Sequence, residues 1–183
     1  MSEPADTEPE FSFETDLKSI PRGGRSFSLS AGDEALTKVA KRLGVIAVDR
    51  LEGDVLMTAS RSEIRLSGVL RGGLTRECVA SLEPMAEMIE EEFDITFLRQ
   101  PEEQVPGNLA EVQSVDSEEE GPEIHTGDHF DLGEFLVQQL SLAMDPFPRK
   151  PGAESLVETY GRGADISPFA ALREKIEKSD ENQ

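Results

Sequence analysis

The sequence predicts an α+β fold in which an antiparallel β meander, or a partly closed barrel-like sheet, packs with a few helices. Three observations predict it. Apolar and polar residues alternate in consecutive short segments between positions 45 and 79. Two other segments, 33–43 and 131–143, carry apolar residues at helical spacing. The stretch 101–128 is rich in Glu, Pro, Gly and Ser without periodicity, which predicts a long, mobile acidic loop.

The N-terminal part is predicted to begin with a disordered tail and two short strands. Residues 1–10 carry acids and prolines but no apolar periodicity. Phe11 to Leu17 and Phe27 to Leu29 alternate at period two, and Pro21-Arg-Gly-Gly between them is typical of a turn. We therefore expect ordered structure to start near Phe11.

One amphipathic helix and the meander follow. The helix is predicted from Asp33 to Leu43, with Gly44 in the position of a left-handed C-cap. The glycines in Glu52-Gly53-Asp54 and in Gly72-Gly73 predict tight turns. Alternation then predicts five strands, at Val45–Leu51, Val55–Ser60, Ile64–Leu70, Leu74–Val79 and Ile89–Phe97.

A second helix is predicted to start at Asp131. The Asp131 carboxylate can accept an amide hydrogen of the first turn, while Glu134 reaches back, as in a capping box. Pro146 ends this helix, and the prolines from there to Gly152 make a stiff, extended arm. A last helix is predicted from Ser167, and residues 177–183 form a disordered tail.

Size and composition suit one domain, predicted over residues 11–176. The chain has 183 residues, enough for one hydrophobic core but short for two. It contains no apolar run long enough for a membrane-spanning helix, and its acidic start lacks the features of a secretory signal. A single cysteine, Cys78, cannot form an intramolecular disulfide. These features lead us to expect a cytoplasmic protein in a reducing compartment.

The charge is strongly negative but unevenly distributed. The net charge is −20, which as a total argues against simple attraction to nucleic acid or anionic membranes. Between Lys18 and Arg76, however, 11 basic residues face 6 acidic ones, whereas 12 acidic and no basic residues lie between Gln100 and Pro148. Two interpretations stay open: the acids only maintain solubility, or the two parts meet phosphate and a basic protein, respectively.

No catalytic, cofactor or metal site is predicted. The only histidines, His125 and His129, are separated by Thr-Gly-Asp, which favours a turn over a metal-binding helix. The sequence has no phosphate-binding glycine loop of the known types and no nucleophile elbow. Cys78 has no histidine nearby in sequence to act as a base, so a buried structural cysteine is expected.

Two motifs together carry a family resemblance. They are Arg76-Glu-Cys-Val-Ala-Ser-Leu-Glu-Pro84 and the segment from Asp131 to Gly152, which ends in Asp-Pro-Phe-Pro-Arg-Lys-Pro-Gly. With the acidic insert between them, the chain resembles the YceD family of large ribosomal RNA subunit accumulation proteins, in its alphaproteobacterial form, over roughly Phe11 to Leu172. The motif residues expected to have structural roles are Cys78, Glu83, Asp131, Gly133, Glu134, Asp145 and Pro146. Many members carry Cys-x-x-Cys in the first motif, but here Ser81 takes the second position.

The resemblance implies a bacterial, non-enzymatic factor for 23S ribosomal RNA accumulation and large-subunit biogenesis. Precursor 23S RNA or a large-subunit ribosomal protein is the implied partner, and neither a membrane nor a small-molecule substrate is expected. Two alternatives remain: an acidic module or chaperone for a basic partner unrelated to ribosomes, and an enzyme with an unrecognised site.

Candidate contact residues come from two regions. The meander offers arginines that contact phosphate or simply form a solvated face, namely Arg61, Arg65, Arg71 and Arg76. The proline arm offers Arg149 and Lys150 as exposed polar contacts, and Phe147, whose exposure would favour docking and whose burial would favour packing. For the acidic segment from Glu102 to Glu123 two hypotheses stay open: it holds a basic ribosomal protein, or it keeps the protein from binding RNA indiscriminately.

Overall fold

The computed structural model describes residues 9–100 and 123–152. By internal contacts the chain divides into two compact units. Within the described residues, the first contains 9–76, 86–100 and 123–146, and the second contains 77–85 and 147–152. The predicted last helix, most of the acidic loop and both predicted tails, apart from Pro9 and Glu10, lie outside the described residues. The single domain over 11–176 stays a prediction.

The described chain is α+β, as predicted. A 3₁₀ turn, Leu17–Ser19, follows the first strand. The elements in chain order are β1 Glu14–Asp16, β2 Arg25–Ser30, α1 Asp33–Leu43, β3 Ala47–Ala59, β4 Glu63–Glu77, β5 Pro84–Gln100, β6 Ile124–Thr126, β7 His129–Asp131 and α2 Leu132–Ala143.

The main sheet is open and five-stranded, in the order β2-β3-β4-β5-β6. Strands β2, β3 and β4 are antiparallel neighbours in a meander, whereas the short β6 pairs parallel to β5. Strands β1 and β7 form a separate antiparallel pair. In the described residues the sheet does not close, so the barrel-like alternative is not realised.

Two turns predicted within the meander are wrong. Gly53 and Gly72 both lie inside continuous strands, β3 and β4. A Cβ atom on Gly53 would lie 2.6 Å from a methyl carbon of Leu136, and one on Gly72 would lie 2.5 Å from a methyl carbon of Leu140. These glycines therefore make room for α2 to pack against the sheet. They do not bend the chain.

The prediction that residues 101–128 form a loop is also wrong at its end. Residues 124–126 form β6, and the Leu98 amide donates to the Glu123 carbonyl 2.8 Å away. The polar, glycine-rich sequence around them gave no strand signal. Pairing with the edge of β5 supplies the hydrogen bonds that hold this short strand.

Helix α1 starts and ends as predicted. Gly44 adopts the left-handed conformation with φ 67°, and its amide donates to the carbonyls of Ala40 and Lys41. Glycine adopts this conformation without the steric cost that a side chain would incur. The predicted turn from Pro21 to Gly24 is also present, closed by a 2.8 Å hydrogen bond between these two residues.

Helix α2 has the predicted cap, with one difference. Asp131 accepts hydrogen bonds from the amides of Gly133 and Glu134 at 2.9 and 3.0 Å. Glu134 does not reach back to the cap. Its carboxylate instead forms two 2.6 Å hydrogen bonds with the Arg42 guanidinium at the end of α1. The bidentate ion pair is the stronger interaction for a carboxylate within reach of an arginine.

The core lies between the sheet and the helices. Phe93 and Phe97 of β5 contact Phe135 of α2 with edge-to-face rings 5.3 and 6.2 Å apart. Leu132 and Leu136 of α2 are completely buried in the same cluster. None of the helices in the described residues is both long and apolar enough to cross a membrane.

Candidate functional site

One face of the main sheet, which we call the open face, points away from both helices. Alternation along β3, β4 and β5 puts one set of side chains toward α2 and the other set on this face. No part of the chain that the structure describes packs over it. Its charged and large apolar residues on β3, β4 and β5 include Arg50, Glu52, Asp54, Leu56, Glu63, Arg65, Val69, Arg71, Met88, Glu90, Glu92, Asp94 and Leu98.

Two predicted phosphate contacts, Arg65 and Arg71, lie on the open face and are held by carboxylates. Arg65 donates to both oxygens of Asp94, at 2.7 and 2.5 Å. Arg71 donates to Asp54 at 2.8 Å and to Glu90 at 3.3 Å. The hydrogen bond from Arg65 lowers the pKa of Asp94, and the one from Arg71 lowers that of Asp54. A phosphate would have to displace these carboxylates.

The other two predicted contacts, Arg61 and Arg76, have different environments. Arg61 lies exposed in the turn between β3 and β4. Arg76 is only 8% exposed. It donates to Glu87 at 2.7 Å and to the Asp145 carbonyl, while the Asp145 amide donates to Glu87. Arg76 thus ties the end of α2 to β5 and is not available to RNA in this conformation.

The proline arm and the Cys78 loop form the described part of the second unit. The Val79 amide donates to the Pro148 carbonyl at 2.9 Å, and Lys150 Nζ contacts Glu83 at the same distance. Arg149 is exposed, and Phe147 exposes 71% of its surface. Because Phe147 is exposed and not buried, docking is favoured over packing for this residue. Its role as a contact with a partner stays a prediction.

The Cys78 sulfur is buried and surrounded by hydrogen-bond donors. The Lys150 amide donates to Sγ at 3.3 Å, and the hydroxyl and amide of Ser81 and the amide of Ala80 also face the sulfur. These donors lower the pKa of the thiol to about 6, against the opposing effect of burial. The loop therefore favours a thiolate, but no base or second thiol accompanies it in the described residues.

In the described residues, the two histidines contact each other but are not part of a metal-ligand cluster. His125 Nε2 makes a 2.9 Å hydrogen bond with the His129 carbonyl, and no group of three metal-ligating side chains comes together. A shallow cleft of about 450 Å³ between α1 and α2 has Arg42 as its charged lining residue. Glu10 and Glu134 hold that guanidinium.

The comparison with protein families decides the family. The model of the large ribosomal RNA subunit accumulation protein YceD matches residues 66–181, well over half of the chain and both sequence motifs. The chain belongs to the YceD family. No curated protein and no solved structure matches it.

Three of the motif residues, Asp131, Gly133 and Asp145, make close contacts within the first unit. A Cβ atom on Gly133 would lie 2.6 Å from the Phe11 carbonyl oxygen, so this position leaves room only for glycine. Asp131 also accepts from Ser12 and from the Phe13 amide, at 2.6 and 2.8 Å. Asp145 receives Arg76, as described above. These residues fasten the N-terminal segment and both ends of α2.

Sequence reasoning missed the carboxylates that hold the arginines. Alternation in the predicted strand Ile89–Phe97 places Glu90, Glu92 and Asp94 on one side, but nothing in the sequence shows that Arg65 and Arg71 lie across from that side. The alternation itself was the available signal. The role of Glu87, which pairs with Arg76 and is mostly buried, had no sequence signal.

Proposed function

We propose that this YceD protein supports accumulation of large-subunit ribosomal RNA as a non-enzymatic binding factor, through contact with precursor 23S RNA or with a large-subunit ribosomal protein. The family match over residues 66–181 carries the proposal, because the family is described by its role in large ribosomal RNA accumulation. The described residues add a broad, polar open face, which suits binding to a macromolecule better than catalysis.

The geometry favours a protein partner over RNA. Of the four arginines proposed to contact phosphate, three are hydrogen-bonded to carboxylates, and the chain has a net charge of −20. RNA binding would require these pairs to open, whereas a basic protein can contact Glu92, an exposed carboxylate to which no described side chain is hydrogen-bonded.

Cells without the gene test the function. We expect the ratio of mature 23S to 16S RNA to fall and to recover when the gene is restored on a plasmid. A tagged protein should co-purify precursor 23S RNA or large-subunit proteins, identified by sequencing and mass spectrometry. An unchanged RNA ratio, or recovery of neither class of partner, would contradict the proposal.

A further inference from the structure

The open face of the sheet carries more carboxylates than guanidinium groups. Three arginines share this face with at least six carboxylates on β3, β4 and β5, which are Glu52, Asp54, Glu63, Glu90, Glu92 and Asp94. Arg50 pairs with Glu52 at 2.5 Å, and Arg65 and Arg71 pair as described above. Every arginine on this part of the face is therefore already neutralised, and negative charge remains in excess.

Glu92 is the clearest part of that excess. It lies between Glu90 and Asp94 on the same side of β5, it is exposed, and no described side chain is hydrogen-bonded to it. Its neighbours Glu90 and Asp94 each keep an oxygen atom turned toward an arginine. An incoming cation would meet Glu92 without breaking an existing ion pair.

Apolar side chains lie among these charges. Leu56 is 42% exposed and Met88 is 73% exposed, and Val69 is partly buried on β4. Lysine and arginine side chains present long aliphatic stems as well as a charged end. A surface that alternates carboxylates with exposed aliphatic groups complements both parts of such side chains.

We propose that the open face is a docking surface for a lysine- and arginine-rich polypeptide segment. The proposal deepens the proposed function, on which it rests, by naming the class of partner and the place where it binds. The acidic segment 102–123 is a separate candidate for the same partner, so the experiment must separate the two.

A matched pair of charge reversals tests the surface. Glu92→Lys changes the open face, and Glu91→Lys makes the same change at the next residue, which is also exposed but points to the opposite side of β5. Decalysine labelled with a fluorophore would be titrated with the full chain at low salt and followed by anisotropy. We expect roughly three- to tenfold weaker binding for Glu92→Lys and less than roughly twofold for Glu91→Lys.

Equal weakening by the two variants would overturn the proposal, because it would mean that decalysine responds only to net charge. Circular dichroism and urea unfolding would confirm that both variants fold. If Glu92→Lys does not fold, amide chemical-shift mapping of the wild-type chain with unlabelled decalysine decides instead. Shifts centred on Leu56, Val69 and Glu92 support the surface, and shifts confined to 102–123 overturn it.

The same two variants also test whether RNA or a second copy of the chain binds the open face. A fragment of 23S RNA that binds more tightly to Glu92→Lys than to Glu91→Lys would identify an RNA surface and overturn the proposal. A dimer seen by sedimentation in the wild type and lost in Glu92→Lys would identify a second copy and do the same.

Complementation separates failure of this proposal from failure of the proposed function. In cells without the gene, Glu91→Lys should restore the 23S to 16S ratio and Glu92→Lys should restore it less. If both variants restore it fully, the open face is not the docking surface but the function stands. If the ratio is normal without the gene, the function itself fails.

Discussion

At the scale of single residues, the arginines show how position decides chemistry. The sequence does not distinguish Arg61, Arg65 and Arg76, and it predicts all three as phosphate contacts. In the fold, Arg61 lies exposed in a turn, Arg65 is paired on the surface, and Arg76 is nearly buried in an ion pair with Glu87. Exposed pairs contribute little to stability, whereas breaking a buried pair is costly. Arg76 is therefore the structural member of the set.

The Arg76 pair gives a prediction about stability. We expect Arg76→Met to lower the free energy of unfolding by about 3–5 kcal/mol. The substitution removes the guanidinium that pairs with Glu87, and the Glu87 carboxylate is mostly buried. Urea denaturation at pH 7 measures the change. The double variant Arg76→Met/Glu87→Leu should lose less than Arg76→Met alone. A single variant as stable as the wild type would show that Arg76 has no structural role.

At the scale of elements, adjacent glycines in β4 have opposite surroundings. Gly72 faces α2, where the Leu140 side chain fills the space that a Cβ atom would need. Gly73 faces the other way, toward the flexible and exposed Met88 side chain, whose sulfur would lie 3.3 Å from an added Cβ atom. The strand was predicted to turn at this pair, but its hydrogen bonds continue through both residues.

A pair of alanine substitutions tests this packing. We expect Gly72→Ala to destabilise the protein by about 1–3 kcal/mol, because the added methyl group overpacks the contact with the buried Leu140. Gly73→Ala, the matched control, should change stability by no more than about 0.5 kcal/mol. The measurement is again urea denaturation. Equal effects of the two substitutions would argue against the contact between α2 and the sheet at Gly72.

At the scale of the whole molecule, the acids do more than add negative charge. The pKa values of many carboxylates are lowered, and an Arg or Lys hydrogen bond is the largest cause in each case. They belong to Glu10, Glu34, Glu52, Asp54, Asp94, Asp128 and Glu134. Positive charge in the described residues is thus largely committed to internal pairs, which leaves negative charge in excess on their surface.

These pairs predict the response to acid. A carboxyl group with a lowered pKa in the folded state contributes stability above its unfolded pKa, about 4, and loses it as the pH falls through the folded value. We therefore expect the free energy of unfolding to decrease below about pH 4, measured by urea denaturation from pH 7 to 3. Arg42→Met should flatten this decrease, since it removes the group that lowers the pKa of Glu134 and Glu10. Stability that is constant or increases below pH 4 would contradict the expectation.

The sequence by itself determined both helices, their caps and the family resemblance. The Asp131 helix cap and the left-handed C-cap at Gly44 depend on interactions within a few residues, so their residue types were sufficient. Helix α2 ends at Ala143, two residues before the predicted stop at Asp145-Pro146. The α+β class and the YceD resemblance also came from local patterns, and the family match supports the latter.

Only the tertiary structure decided which distant residues meet. Three features depend on segments far apart in sequence. Strands β3 and β4 continue through Gly53 and Gly72, Glu134 pairs with Arg42, and carboxylates bind Arg65 and Arg71. From its sequence neighbours alone, a glycine predicts a turn and an arginine predicts a free cation. Both predictions fail here because packing and ion pairing across strands decide the outcome. The strand register and the helix that covers one face of the sheet determine which side chains meet.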